Sequence, residues 1–200
     1  RPKPSASSGV AGPCSISTSN CCLTIWSARH VVSRWRACAV LPSLSFGGAE
    51  RIALDLLSEM DKERYAAELL LMSGFGELLS QVPEGVPVHV LPPGRPGRLA
   101  EAARLSRFFK ARSPDLVMSV IRSANIRCVL AKSLFRTKVK LLINEQNSIV
   151  DRLDRQVRSR LKRALLRRAY GLVYRRADHC VVPSQGLRRE MLSRLRLRPE

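Results

Sequence analysis

From residue 36 onward, short apolar runs alternate with stretches of helical periodicity, and this alternation leaves few folds open. Arg36–Leu41, Ala67–Met72, Val86–Leu91, Leu116–Ile121, Val139–Ile143 and His179–Val182 read as strands. Pro87 cannot donate a ladder hydrogen bond, so the third strand belongs at a sheet edge. Between the strands, Ala49–Met60 carries Ala49, Ile52, Ala53, Leu56, Leu57 and Met60 at helical spacing. Glu77–Val82 reads as a short helix closed by Pro83. In Arg98–Arg112, Leu99, Ala102, Leu105 and Phe109 mark the inward face, and in Ala124–Phe135, Ile126, Val129, Leu130 and Leu134 do so. A long helical stretch, Val150–Arg176, is expected to break near Gly171, and Gln185–Leu195 starts a last helix. Apolar central strands joined by helices predict an α/β, doubly wound, Rossmann-like parallel sheet covered on both faces.

In such a sheet, ligands bind beyond the carboxyl ends of the strands, near the point where strand order reverses. That rule selects the loops Ser43–Gly48, Arg122–Asn125, Asn144–Ser148 and Pro183–Gly186. Gly47 and Gly48 stand directly before the first helix, where a ligand can approach the backbone and free N–H groups favour an anion. Glu50, in the first helical turn, suits the same dipole. A tight strand-to-helix turn is the plainer reading of these glycines. The dinucleotide pattern G-x-G-x-x-G and the phosphate loop ending in Gly-Lys-Ser/Thr are both absent, which disfavours a dehydrogenase or a nucleoside triphosphatase.

Residues 1–35 lie outside the alternating pattern. Pro, Ser, Gly and Cys dominate as far as Cys22, and no period of 2 or 3.6 appears. The stretch is read as disordered or as a non-native upstream extension, with residues 36–200 forming the domain. Leu23-Thr24-Ile25-Trp26 is too short an apolar core for a signal peptide. The six cysteines lack the paired spacing of a zinc site, so no metal is expected and free thiols in a reducing cytoplasm are the simplest account. His89, between Val88 and Val90, is placed on the polar face of a strand.

The formal charge is +19, from 35 Lys and Arg against 16 Asp and Glu. Such an excess attracts nucleic acid, anionic lipid or phosphorylated substrates. Residues 152–176 hold ten of the basic residues and a single acid, Asp154. Val150, Leu153, Val157, Leu161 and Leu165 form a stripe expected to pack on the sheet, with arginines outside. An anionic membrane surface is one partner this helix can meet. Nucleic acid is not expected, because no aromatic stacking platform or binding motif accompanies the charge. No apolar run reaches the roughly 18 residues of a membrane-crossing helix.

The segment Val40-Leu41-Pro42-Ser43-Leu44-Ser45-Phe46-Gly47-Gly48-Ala49-Glu50-Arg51 resembles the start of family-4-type glycosyltransferases of the GT-B fold. Gly76-Glu77-Leu78-Leu79 with Pro83-Glu84-Gly85-Val86, Ser113-Pro114-Asp115-Leu116-Val117, Asn144-Glu145-Gln146-Asn147, and Tyr174-Arg175-Arg176-Ala177-Asp178 with Val181-Val182-Pro183-Ser184 follow in the family's order. The resemblance covers about residues 36–198 and implies the N-terminal, acceptor-side half of an enzyme built from two Rossmann-like domains. It implies retaining transfer of a sugar from a UDP- or GDP-sugar co-substrate to a glycan or lipid-linked acceptor, with no cofactor or metal, in the cytoplasm or on the inner face of the cell membrane. It sets Gly47 and Gly48 against the donor phosphates, and Glu50, Asn125, Glu145, Asn147 and Ser184 on the acceptor side. Many relatives carry His at the position of Gln146; a glutamine can donate a hydrogen bond but takes no proton at neutral pH, so its expected role is orientation. A GT-B-shaped sugar-nucleotide epimerase, a non-catalytic sugar binder and a basic nucleic-acid-binding protein are the competing readings. A domain alone, without the donor-binding half, is expected to be inactive.

Overall fold

Strand β1 (Trp35–Leu41) turns through Pro42–Gly47 into helix α1 (Gly48–Glu59), and β2 (Tyr65–Leu71) returns beside β1. A 3-10 helix, Glu77–Gln81, leads to the short β3 (Val88–Val90). Then come α2 (Arg98–Arg112), β4 (Leu116–Val120), α3 (Arg122–Leu134) and β5 (Lys140–Asn144). Helices α4 (Ile149–Gln156) and α5 (Arg160–Tyr174), strand β6 (His179–Val181) and α6 (Gln185–Arg194) complete the order. The computed structural model describes residues 34–195 and 197, all within one compact unit, Ser33–Glu200. Cys14, Cys21, Cys22 and nearly all of the stretch 1–35 lie outside the described residues.

All strand pairs are parallel, and the order is β3-β2-β1-β4-β5-β6. The doubly wound, Rossmann-like sheet is therefore present, with β3 and its preceding Pro87 at one edge. The order reverses between β1 and β4. Side chains alternate across the pleat. Cys38, Val40, Leu70, Val117, Leu141 and Ile143 meet α2 and α3 on one face; Ala39, Leu41, Leu69, Leu71 and Val120 meet α1 and the 3-10 helix on the other. The first crossovers run on one side of the sheet. The crossover through α2 carries the chain to the other side, and this creates the crevice above β1 and β4.

Several helix faces are turned relative to the sequence pattern. Ala53, Leu54 and Leu57 of α1 are buried, while Ile52 and Leu56 are exposed. In α2 and α3, Leu99 and Leu134 point to solvent. Small residues, Ala102 in α2 and Ala124, Cys128 and Ala131 in α3, take the closest positions, because these two helices pack against each other as well as on the sheet.

The long helical stretch breaks at Val157–Ser159, not near Gly171. Ser159 caps the second helix by accepting from the Lys162 N–H, which is the signal for the break that periodicity alone does not carry. The single inward stripe fails with it. Val150 and Leu153 are buried, but Leu161 and Leu165 are 81% and 67% exposed. Gly171 serves a different purpose. A Cβ there would lie 2.4 Å from the Leu195 carbonyl oxygen, so the glycine lets the end of α6 approach α5. Gly171→Ala is expected to destabilise the domain by about 1–3 kcal/mol through overpacking, which outweighs the ~1 kcal/mol helix preference of alanine. The midpoint of urea unfolding measures the difference.

Cys38 and Cys128 are buried free thiols, and Cys180 is partly buried. Burial pushes the Cys128 thiol up to about 12, so it stays protonated and unreactive. His89 on β3 is half-buried and faces Glu68, 3.0 Å away, which Arg112 also holds at 2.8 Å.

Candidate active site

Three of the four selected loops meet above the carboxyl ends of β1, β4 and β5. The first is held open by its neighbours. Leu44 is buried; its N–H donates to the Phe75 carbonyl and its carbonyl accepts from Leu78 N–H. The chain then reaches Gly47, the N-cap of α1, in extended conformation. The Glu50 side chain curls back over Gly47, so an added Cβ there would sit 2.2 Å from Oε2. At Gly48 an added Cβ would meet nothing within 4 Å. No side chain caps the α1 N-terminus, so its first N–H groups point outward with the positive end of the helix dipole.

The second loop is tighter than its sequence suggests. Arg122–Asn125 is the first turn of α3, not a loop, and the turn is made at Ile121 alone. Ile121 has φ 72°, a conformation that costs a β-branched residue about 1–3 kcal/mol. Its neighbours hold it there: Asn125 N–H donates to the Ile121 carbonyl. The α3 N-terminus is also uncapped by any side chain.

A buried polar network lies beneath these turns. Ser119 Oγ donates to Asn125 Oδ1 at 2.8 Å, and Asn125 Nδ2 donates to the Asn144 carbonyl at 3.1 Å and to Glu145 Oε2 at 3.3 Å. Tyr174 on α5 donates its hydroxyl to the same carboxylate oxygen. Asn125 is fully buried and Glu145 is 1% exposed. Asn125 thus braces the strand ends from inside. Burial raises the Glu145 carboxyl above the ordinary carboxylate range, while Tyr174, the charge of Arg122 and the bond from Asn125 pull it back. Burial and Glu145 also raise the Tyr174 hydroxyl, which stays a donor.

A carboxyl whose folded pKa is raised binds its proton more tightly in the folded state. Its contribution to stability is greatest below the unfolded carboxylate range and is lost as pH rises through the raised folded value. Glu145 is therefore expected to titrate above ordinary glutamates in a carboxyl NMR titration, and Arg122→Gln to move it further up. An unchanged Glu145 titration in that variant contradicts the arrangement.

Gln146 is partly buried and donates from Nε2 to Asn144 Oδ1 at 2.7 Å; Asn147 is exposed at the rim. Ser148 caps α4 and donates to the Glu190 carboxylate of α6 at 2.7 Å. Ser184 lies apart from this group, beyond β6 on the far side of β5, and its hydroxyl caps α6 by accepting from Leu187 N–H. The sites brought together are thus Gly47, Gly48 and Glu50 on one wall and Glu145, Gln146 and Asn147 on the other, with Asn125 beneath.

A cleft of about 510 Å³ opens beside this second wall, lined by Ile121, Arg122, Glu145, Asn147, Arg152 and Arg155 among others. Ile121, Tyr174 and the arginines at the cleft, Arg122, Arg152 and Arg155, join the site only in the structure. Tyr174 carries part of a signal: a tyrosine that packs on the core needs a hydrogen-bond partner for its hydroxyl, but the sequence does not say that Glu145 is that partner. Arg152 and Arg155 carry none, because they are indistinguishable in sequence from the arginines around them. A second cleft, of about 690 Å³, lies at the β6 edge against α6, lined by Val181, Val182, Met191, Leu192 and Arg188. Among the described residues no group of three or more His, Cys, Asp or Glu is placed to hold a metal, and no helix is long and apolar enough to cross a membrane.

The family model for the glycosyl transferase 4-like domain matches residues 47–200. No curated protein sequence matches the chain. Among solved structures, a glycosyltransferase from Rickettsia africae ESF-5 superposes with a TM-score of 0.59 at 14% identity, covering 83% of this chain and 41% of that one. The lipopolysaccharide outer core galactosyltransferase WaaB, in its apo form, gives 0.55 at 13% identity, covering 80% and 42%. Anabaena HepE in complex with UDP and glucose gives 0.47 at 20% identity, covering 74% and 44%. The chain spans about two fifths of the length of the first two of these structures.

Proposed function

This chain belongs to the glycosyl transferase 4-like domain family, and from that premise we propose that it is the acceptor-side half of an enzyme that transfers a hexose from a UDP- or GDP-sugar, with retention, to a lipid-linked or polysaccharide acceptor. The observation that carries the reading is the open wall at Gly48. An uncapped helix N-terminus with empty space over its first residue stands at the reversal of strand order, where α/β sheets bind ligands. Backbone N–H groups there are suited to charge developing on a departing nucleoside diphosphate. No cofactor or metal enters this reading. Across the crevice, Gln146 and Asn147 orient an acceptor hydroxyl. Glu145 fixes their loop through Tyr174 and Asn125 rather than touching the sugar freely. The test is a transfer assay on the complete gene product with labelled UDP- and GDP-hexoses and a panel of glycolipid and oligosaccharide acceptors. Label in a glycoside of the donor's own anomeric configuration supports the reading; an inverted product, or epimerised donor with no glycoside, overturns it.

The exposed face of α5 supports a second element, attachment to the surface of an anionic membrane. Leu161, Leu165 and Leu172 lie along one side of that helix at 81%, 67% and 62% exposure, with Lys162 and Arg168 beside them. An apolar ridge among basic residues suits the plane of a bilayer interface. Phosphatidylglycerol vesicles are expected to co-sediment the protein at low salt and phosphatidylcholine vesicles not to. Leu161→Asp with Leu165→Asp is expected to weaken binding at least ~10-fold, since burying one leucine is worth about 1.5–3 kcal/mol. Equal binding to both vesicle types contradicts it.

A further inference from the structure

We propose that the acceptor carries a phosphate group, and that the guanidinium groups of Arg122, Arg152 and Arg155 hold it in the cleft beside Glu145; this rests on the transferase reading of that cleft. Together with the acids Asp151 and Glu145, three arginines line one cleft of about 510 Å³. They come from two elements. Arg122 is the first residue of α3, and Arg152 and Arg155 lie three apart on α4, which places them on one face of that helix.

Among the described residues little neutralises them at close range. Arg122 makes no close ion pair there, although its charge acts on the buried Glu145 carboxyl in the same lining. Arg152 donates only its Nε, to Gln156 Oε1 at 3.0 Å, and keeps its terminal nitrogens. Arg155 meets Asp151 at 3.5 Å, with both side chains mostly exposed, at 82% and 66%. Such an exposed pair is weak and yields readily to a better anion. The other acid in the lining, Glu145, already accepts from Tyr174 and Asn125. By contrast, Arg163 and Arg167 of α5 are both drawn to Asp154.

A guanidinium matches a phosphate through two parallel N–H donors, and a phosphate offers enough oxygens for more than one such fork. Neutral sugar hydroxyls need no such excess of charge. Arg152 and Arg155 stand on the exposed side of α4, and with Arg122 they rim the cleft beside the end of β4. The shared chemistry is a phosphate ester or diphosphate, carried either by a lipid-linked sugar or by a soluble phosphosugar.

The test is isothermal titration calorimetry on the intact protein at constant ionic strength, with glucose 6-phosphate, farnesyl diphosphate and glucose as probes. At least one phosphate probe is expected to bind saturably, and glucose not to. Preference for farnesyl diphosphate points to a lipid-linked acceptor, and preference for glucose 6-phosphate to a soluble one. Arg122→Gln and Arg152→Gln are each expected to weaken binding at least ~10-fold, the effect of losing one charge-assisted hydrogen bond. Arg98→Gln, an exposed arginine at the start of α2 away from the cleft, is expected to leave it unchanged. Thermal melts check that each variant is folded. No saturable binding of either phosphate, or folded variants that bind as the parent does, overturns the proposal.

Slow hydrolysis of the nucleotide sugar by the complete gene product separates this from the reading beneath it. Hydrolysis without phosphate binding sinks the phosphate proposal alone. Phosphate binding without either hydrolysis or transfer sinks the transferase reading and leaves the phosphate site standing.

Discussion

Replacing Gly48 with valine is expected to lower sugar transfer by the complete enzyme about 100-fold, the scale of losing one N–H donor to a developing oxyanion, while the melting temperature of the domain stays unchanged. The two halves of this expectation have separate causes. A side chain at Gly48 meets nothing of the protein within 4 Å, and an extended or helical backbone there accepts any residue. Valine at the first helical position leaves the fold intact. The same side chain fills the space through which a diphosphate would reach the N–H groups of α1. Gly47 makes the contrast. There a Cβ collides with Glu50, so Gly47→Ala perturbs the turn itself and reports on structure and activity together. A fully active Gly48→Val enzyme would remove the donor phosphates from this wall.

Gly76→Ala is expected to be the most damaging single change to stability, at about 3 kcal/mol or more. Gly76 has φ 145°, a region that costs residues with a side chain about 1–3 kcal/mol. An added Cβ would also sit 2.2 Å from the carbonyl carbon and oxygen of Leu44. The colliding atoms are backbone, so no side chain can swing away, and overpacking of this kind costs a further ~1–3 kcal/mol. The loop after β1 depends on that approach, because Leu44 bonds both Phe75 and Leu78. For a domain of this size the loss corresponds to a fall of about 10 °C in melting temperature. Differential scanning calorimetry of the two proteins measures it. A variant that melts with the parent would mean that the Leu44 loop does not pack on Gly76 as described.

The layered fold was legible because period-2 and period-3.6 patterns report burial directly, and a sheet covered on both faces makes its central strands continuously apolar. Leu116–Val120 and β5 are legible for that reason. What the patterns could not carry was the rotation of each helix. Ile52, Leu99 and Leu134 are as apolar as their buried neighbours, and only the crossing of neighbouring helices decides which of them faces out. In the last long helix a glycine is the obvious breaker in the sequence. The real break uses a serine cap at Ser159, and the glycine at 171 is there for close packing against Leu195.

The site divides in the same way. Strand ends at a topological reversal select loops by rule, so Gly47, Gly48 and Glu145 to Asn147 could be picked from sequence. The fate of each polar side chain could not, since it depends on partners far along the chain. Asn125 is drawn inward by Ser119 and Asn144, and Tyr174 reaches Glu145 across 29 residues. Ser184 is spent on its own helix.

Ligands are expected to meet this domain at the crevice above β1 and β4. An amide chemical-shift map of the complete gene product, titrated in turn with UDP-glucose and GDP-mannose, tests it directly. Saturable shifts are expected at Gly47, Gly48 and the first turn of α3, with the β6 edge unmoved. Shifts confined to the larger cleft around Val181, Val182 and Met191, with Gly47 and Gly48 silent, would contradict it.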